Sequence, residues 1–90
     1  MTDNIRLPDD LGRAIEARRH ALGMGKSEVA QRAGKVREVV YRLEAGQDTT
    51  VSSLMAVLGA LGLSMRLERV GLPSAQDVAR RFLDDDDDAA

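Results

Sequence analysis

The sequence predicts an all-α domain of four to five helices, followed by one short C-terminal strand that pairs across a dimer. Three observations lead there. Apolar residues recur at three- and four-residue spacing in four successive segments between Leu11 and Leu61, with glycines between the segments. The period then drops to two over Leu63 to Glu68, as in a half-buried strand. Finally, 90 residues suffice for one domain, and a chain this short buries only a modest fraction of its surface alone. A second copy that hides apolar area would add stability.

Residues 1–7 form an arm without a clear pattern. Pro8, followed by Asp9 and Asp10, starts a first helix, because proline suits the first turn and acids suit the positive end of the helix dipole. Leu11, Ala14, Ile15, Ala21 and Leu22 fall on one face of it, and Gly23 ends it. Gly25 caps a short second helix, Lys26 to Ala33, with Val29, Ala30 and Ala33 turned inward. The turn Ala33-Gly34-Lys35 leads to a third helix, Val36 to Ala45, with Val36, Val39, Val40 and Leu43 inward. After a loop at Gln47 to Thr49, Thr50 is a good N-cap for a fourth helix carrying Val51, Leu54, Met55, Val57, Leu58 and Leu61. These helices make a domain over 8–63. A strand and a short helix occupy 64–83, the helix capped by Ser74 and running from Ala75 to about Leu83. The acidic tail 84–90 is expected to be disordered, since repelling charges bury too little apolar area to offset ordering entropy.

The formal charge of -2 conceals a segregation. Asp84 to Asp88 stand together; without them thirteen basic residues face ten acidic ones. Between Arg13 and Arg42 eight basic residues are opposed only by Glu16, Glu28 and Glu38. A basic body with an acidic tail fits either a polyanionic partner with an appendage that competes with it, or a solvated surface with a solubilising tail. The absence of cysteine excludes disulfides, thiol catalysis and cysteine-ligated zinc. No apolar run approaches the ~20 residues needed to span a bilayer, and the polar start lacks a signal peptide's hydrophobic stretch, so a cytoplasmic protein is expected. His20 has no nucleophile or ligand set beside it in sequence, and the aspartate run lacks the spaced ligands and glycine of a calcium loop. No enzyme activity, cofactor or metal is expected.

A single strand cannot form a sheet. Residues 64–70 therefore either pair with a second copy or lie over the core as an extended arm.

Two short helices joined by a glycine-containing turn can place the second in a DNA major groove. The run Gly25-Lys26-Ser27-Glu28-Val29-Ala30-Gln31-Arg32-Ala33-Gly34, with Val39-Val40-Tyr41-Arg42-Leu43-Glu44-Ala45-Gly46, resembles the signature of the XRE (λ-repressor/Cro-like) helix-turn-helix family. With its flanking helices the likeness covers Leu11 to Leu63. It implies a λ-repressor-like DNA-binding domain and a structural ion pair between Arg19 and Glu44. An acid at a helix C-terminus opposes the dipole and would welcome a cation, which agrees. The family's DNA-contacting positions map onto Lys26, Arg37, Glu38 and Arg42. Arg37 has the fork for a bidentate guanine contact, and Glu38 can accept from cytosine N4. Lys26 and Lys35 suit phosphates. Tyr41 either reaches the backbone through its hydroxyl or packs half-buried, while Arg13 and Arg18 either approach the backbone or, the favoured reading, are solvated surface. The chain departs from the family at Lys26, where glutamine is usual, at Val36, where a Ser or Thr cap is common, and at Tyr41, where serine is common.

The stretch from Thr49 to Leu67 resembles HipB-type antitoxins more than a generic XRE domain. That resemblance implies a dimerisation strand including Ser64, Met65, Arg66, Leu67 and Glu68, and a tail that contacts a kinase-like toxin. Phe82 and Leu83 are the candidate contacts; alternatively Phe82 packs on its own domain. The expected partners are double-stranded DNA carrying a near-palindromic operator, a second copy in a homodimer, and a toxin, with no membrane. The rival readings are a stand-alone repressor and a protein-interaction adaptor that has lost DNA binding.

Overall fold

In a computed structural model, which describes residues 4–70, four helices follow one another: α1 (Pro8–Ala21), α2 (Lys26–Ala33), α3 (Arg37–Glu44) and α4 (Val51–Ala60). Pro8 stands in the first turn of α1, as its missing N–H allows. The Asp10 carboxylate accepts from the N–H groups of Arg6 at 3.2 Å and Leu7 at 3.1 Å, partnering donors that precede the helix. Gly34 closes α2 in the left-handed region, at φ 68°. There Lys35 N–H reaches the Ala30 carbonyl at 2.9 Å and Gly34 N–H the Gln31 carbonyl at 3.1 Å, which satisfies two orphan carbonyls and turns the chain sharply into α3. Thr50 caps α4 by accepting from Ser53 N–H at 3.1 Å, and its hydroxyl donates to the Ser53 hydroxyl at 2.8 Å.

Ile15, Met24, Val29, Ala30, Val40, Leu43, Val57, Leu58 and Leu61 form one buried cluster drawn from every helix. α2 packs on both α3 and α4, and α1 packs on α3. The approach of α1 to α3 depends on Gly12: a Cβ there would lie 2.5 Å from the Glu44 carbonyl oxygen and 2.6 Å from that of Leu43. Bringing the C-terminal end of α3 this close to α1 sets the angle at which its outer face is presented.

Three sequence expectations need correction. Val36 is not inward: it stands just before α3, 69% exposed, so the helix begins one residue later, at Arg37. Its extended backbone (φ -77°, ψ 154°) turns the side chain away from the core that Val40 and Leu43 occupy. Ala21 and Leu22 are exposed, because Met24, in the loop after α1, fills the core at that end instead. Arg18 is not solvated surface: its Nε donates to the Leu61 carbonyl at 2.9 Å, capping the C-terminal end of α4. The helix expected from Ala75 to Leu83 and the acidic tail lie outside the described residues.

Candidate nucleic-acid interface

α3 has two faces of opposite chemistry. Val40 and Leu43 are in the core, whereas Arg37, Glu38, Tyr41 and Arg42 are all exposed. In a helix, residues four apart share a face. Arg37 and Tyr41 therefore stand in one row, and Glu38 and Arg42 in the adjacent one. The second row is internally paired: Arg42 Nε donates to Glu38 Oε1 at 3.2 Å. Arg37 belongs to no ion pair among the described residues. Its guanidinium is at the N-terminal end of the helix, where the dipole repels a cation and favours an anion.

The first turn of α2 joins this surface. The Lys26 ammonium lies 4.7 Å from the centre of the Tyr41 ring, a cation–π contact worth ~0.5–1 kcal/mol at an exposed site. The contact pins the tyrosine outward and leaves about half its surface open. Lys35 sits in the turn itself, half-buried, with its N–H bonded back to Ala30. Thus Lys26 and Tyr41 are in contact, Arg37 and Arg42 flank them on α3, and Lys35 lies between the two helices.

Behind this face, Arg19 and Glu44 meet. Arg19 Nε donates to Glu44 Oε2 at 2.6 Å and its Nη2 to Oε1 at 2.9 Å, while Nη1 donates to the Met24 carbonyl at 3.1 Å. The side chains are 10% and 4% exposed. The bond to Glu44 raises the Arg19 pKa above its ordinary value against an opposing desolvation. One guanidinium therefore ties together α1, the following loop and the end of α3.

The segment after α4 forms no ladder, and among the described residues there is no strand. A strand is defined by its bonds to a neighbour, and no other segment among the described residues supplies them. Ser64, Met65, Arg66, Leu67 and Glu68 are all exposed, so this stretch does not cover the core as an arm. Leu67 is 94% exposed. Arg66 and Glu68 pair at 3.9 Å, and residues two apart share a side only in extended backbone. Phe82 and Leu83 lie outside the described residues.

Sequence reasoning missed Arg18 and Met24. Nothing in the pattern links Arg18 to Leu61, 43 positions away. Met24 sits between two loop glycines, where helical periodicity has no force. No group of three potential metal-ligating side chains occurs among the described residues, and no helix there is long and apolar enough to cross a membrane.

No protein-family model matches the chain, and a search of curated proteins by sequence finds no match. Solved structures do match. A point variant of HipB in complex with an O2 20mer has a TM-score of 0.74 and 25% identity, covering 79% of this chain and all of that one. HipB in a HipA–HipB–O2–O3 complex has a TM-score of 0.73 and 28% identity, covering 78% of this chain and all of that one. HipB with an O4 20mer matches at TM-score 0.73 and 27% identity, again over 78% of this chain and the whole of that one. The chain has the all-α HipB fold, its structural neighbours are HipB-type helix-turn-helix proteins, and the resemblance read from Gly25 to Gly46 holds in three dimensions.

Proposed function

We propose that this protein is a sequence-specific DNA-binding repressor, the antitoxin of a toxin–antitoxin operon whose transcription it blocks. The observation that carries the reading is α3: the second helix of a HipB-like helix-turn-helix, anchored by Val40 and Leu43 and presenting Arg37, Glu38, Tyr41 and Arg42 outward. Such a helix enters a major groove with its N-terminal residues at the base edges. Arg37 then takes guanine O6 and N7 in a bidentate contact. Arg42 exchanges its bond with Glu38 for a base or phosphate, and Glu38, once released, accepts from cytosine N4. Lys26 and Lys35 hold phosphates, and Tyr41 offers its hydroxyl to the backbone. On the HipB likeness, the 20mers of the neighbouring structures correspond to operator DNA, and HipA to a kinase-like toxin that this protein's own partner would resemble. Phe82 and Leu83 are the proposed toxin contacts. This makes the protein a cytoplasmic regulator rather than a catalyst.

Two copies would bind a near-palindromic site with recognition helices one DNA turn apart, ~34 Å. The exposed Met65 and Leu67, on a segment where Arg66 and Glu68 share a side, support pairing of 64–70 with its counterpart. Deleting 64–70 is expected to lower both dimerisation, measured by sedimentation, and DNA affinity. A deletion variant that stays dimeric rules the pairing out.

The deciding experiment is fluorescence anisotropy on DNA from upstream of the protein's own gene, against scrambled DNA, across a salt series. Preferential, salt-sensitive binding to the upstream DNA is expected. Equal binding to both at every salt concentration overturns the proposal and favours an adaptor.

A further inference from the structure

We infer that the acidic tail Asp84 to Asp88 docks on the α2–α3 face of its own chain as a built-in competitor of DNA; this rests on the DNA-binding reading of that face. The face offers what such a tail needs. Arg37 is exposed and in no ion pair among the described residues, Lys26 is held at the edge of Tyr41's open surface, and Arg42 is held only by an exposed, exchangeable glutamate. The exposed acids on α2 and α3 that oppose docking are Glu28, which is paired to Arg32 at 3.3 Å, and Glu38 itself.

The tail carries five consecutive carboxylates. An extended chain advances ~3.3–3.6 Å per residue. Phosphates along one strand of B-DNA are spaced by about 3.4 Å of helix rise. Along its axis an aspartate run therefore carries about as much negative charge per unit length as a single DNA strand, with successive carboxylates alternating sides. Arg80 and Arg81 precede it, so the charge of the far end is reduced but stays negative.

Reach is sufficient. Thirteen residues separate Val70 from Asp84. With Ala75 to Leu83 helical, as the sequence predicts, and the other four residues extended, the segment spans about 27 Å. The molecule measures 48 × 31 × 21 Å, so that span crosses its shortest dimension. Between exposed charges the attraction is screened within ~10 Å at 0.1 M salt. Docking is therefore weak and salt-labile, which lets DNA displace it. Because the tail occupies the face before either kind of DNA arrives, it lowers affinity for operator and non-operator DNA by one factor.

The test compares the full chain with a variant carrying Asp84→Asn through Asp88→Asn, first without DNA. In amide NMR spectra at low salt, the resonances of Lys26, Lys35, Arg37, Tyr41 and Arg42 are expected to differ between the two proteins, those of Glu16 and Met55 to coincide, and the differences to vanish near ~0.5 M salt. Superimposable α2–α3 resonances at low salt overturn the inference, because long-range repulsion of DNA by a detached tail would leave them unmoved. In the anisotropy assay the variant is expected to bind both DNAs about 3- to 10-fold more tightly at low salt, with the gap closing as salt rises; unchanged affinity also overturns it. The two readings fail separately. Tail-dependent shifts without operator preference leave docking standing and remove the DNA-binding function. Operator preference without shifts does the reverse.

Discussion

Glu38 and Glu44 lie on the same eight-residue helix, and each holds an arginine, but the two pairs are unlike in every physical respect. Glu44 is nearly enclosed, takes both arms of Arg19, and joins α3 to a helix 25 residues earlier in the chain. Glu38 is 62% exposed, takes one contact from Arg42 at 3.2 Å, and joins α3 only to itself. In the interior, two charges gain from each other because water no longer screens them, and either alone would be left uncompensated. At the surface, water and salt supply most of what a partner would. The inner pair thus fixes where α3 sits, and the outer pair leaves its contacts exchangeable, as a helix that must trade protein contacts for DNA contacts requires.

The largest expected effect tests that contrast directly. Glu44→Ala should destabilise the fold by ~3–5 kcal/mol in urea denaturation, because Arg19 stays buried without its partner. Glu38→Ala should change stability by no more than about 0.5 kcal/mol. Similar losses in the two variants would break the comparison. The next effect concerns the seam around the inner pair. Gly12→Ala drives a methyl group into the Glu44 and Leu43 carbonyls, which cannot swing aside as a side chain can. Overpacking of ~1–3 kcal/mol should outweigh the gain in helix propensity. Gly59→Ala in α4 meets nothing within 4 Å and should instead stabilise by up to ~1 kcal/mol. Opposite signs for the two glycines in the same denaturation experiment are the expected result.

On the outer face the readout moves from stability to binding. Arg37→Ala should move the melting temperature by no more than ~2–4 °C, since the side chain makes no ion pair among the described residues and surface changes typically fall within ~0.5 kcal/mol. It should weaken operator binding by ~1–3 kcal/mol and relax preference at one base pair, read by anisotropy on single-base operator variants. An equal loss on operator and scrambled DNA would reassign Arg37 to a phosphate.

How much was legible in the sequence divides along the same line. Helix positions followed from glycines and apolar spacing, and Thr50 was readable as a cap because its hydroxyl and the Ser53 N–H are neighbours in sequence. Local signals failed at ends. Val36 belongs to the apolar pattern of α3, yet it precedes the helix, because periodicity cannot tell a last loop residue from a first helical one. Arg18 looked like surface because its partner is the backbone of Leu61, a group every residue possesses. Gly12 passed unremarked for the same reason: what it must avoid is main chain, not a side chain with a signature. The Arg19–Glu44 pair was anticipated through the family resemblance, which carries distant contacts that spacing alone does not.

The smallest expected effect sits where α1 begins and carries the contrast to a third acid. Asp10 is held below the ordinary carboxylate value of 3.8, first by the Arg6 N–H, against a desolvation that raises it, and further by the Leu7 N–H and the Arg13 charge. Its ionised form is therefore favoured by folding. The resulting stability is present in full above the unfolded value and is lost as pH falls through the lowered folded one. Asp10→Ala should melt below the parent at pH 7, and the gap should narrow between about pH 5 and pH 2, where the parent's own carboxylate protonates. Added salt at pH 7 should narrow it only in part, since the Arg13 attraction is screened and the hydrogen bonds to the backbone are not. A gap that stays constant from pH 7 to pH 2 would mean that the side chain's packing, not its charge, supports the start of α1. Enclosed Glu44 should respond differently: salt reaches neither of its bonds to Arg19, so the deficit of Glu44→Ala at pH 7 should be the same at 0.05 and 0.5 M salt.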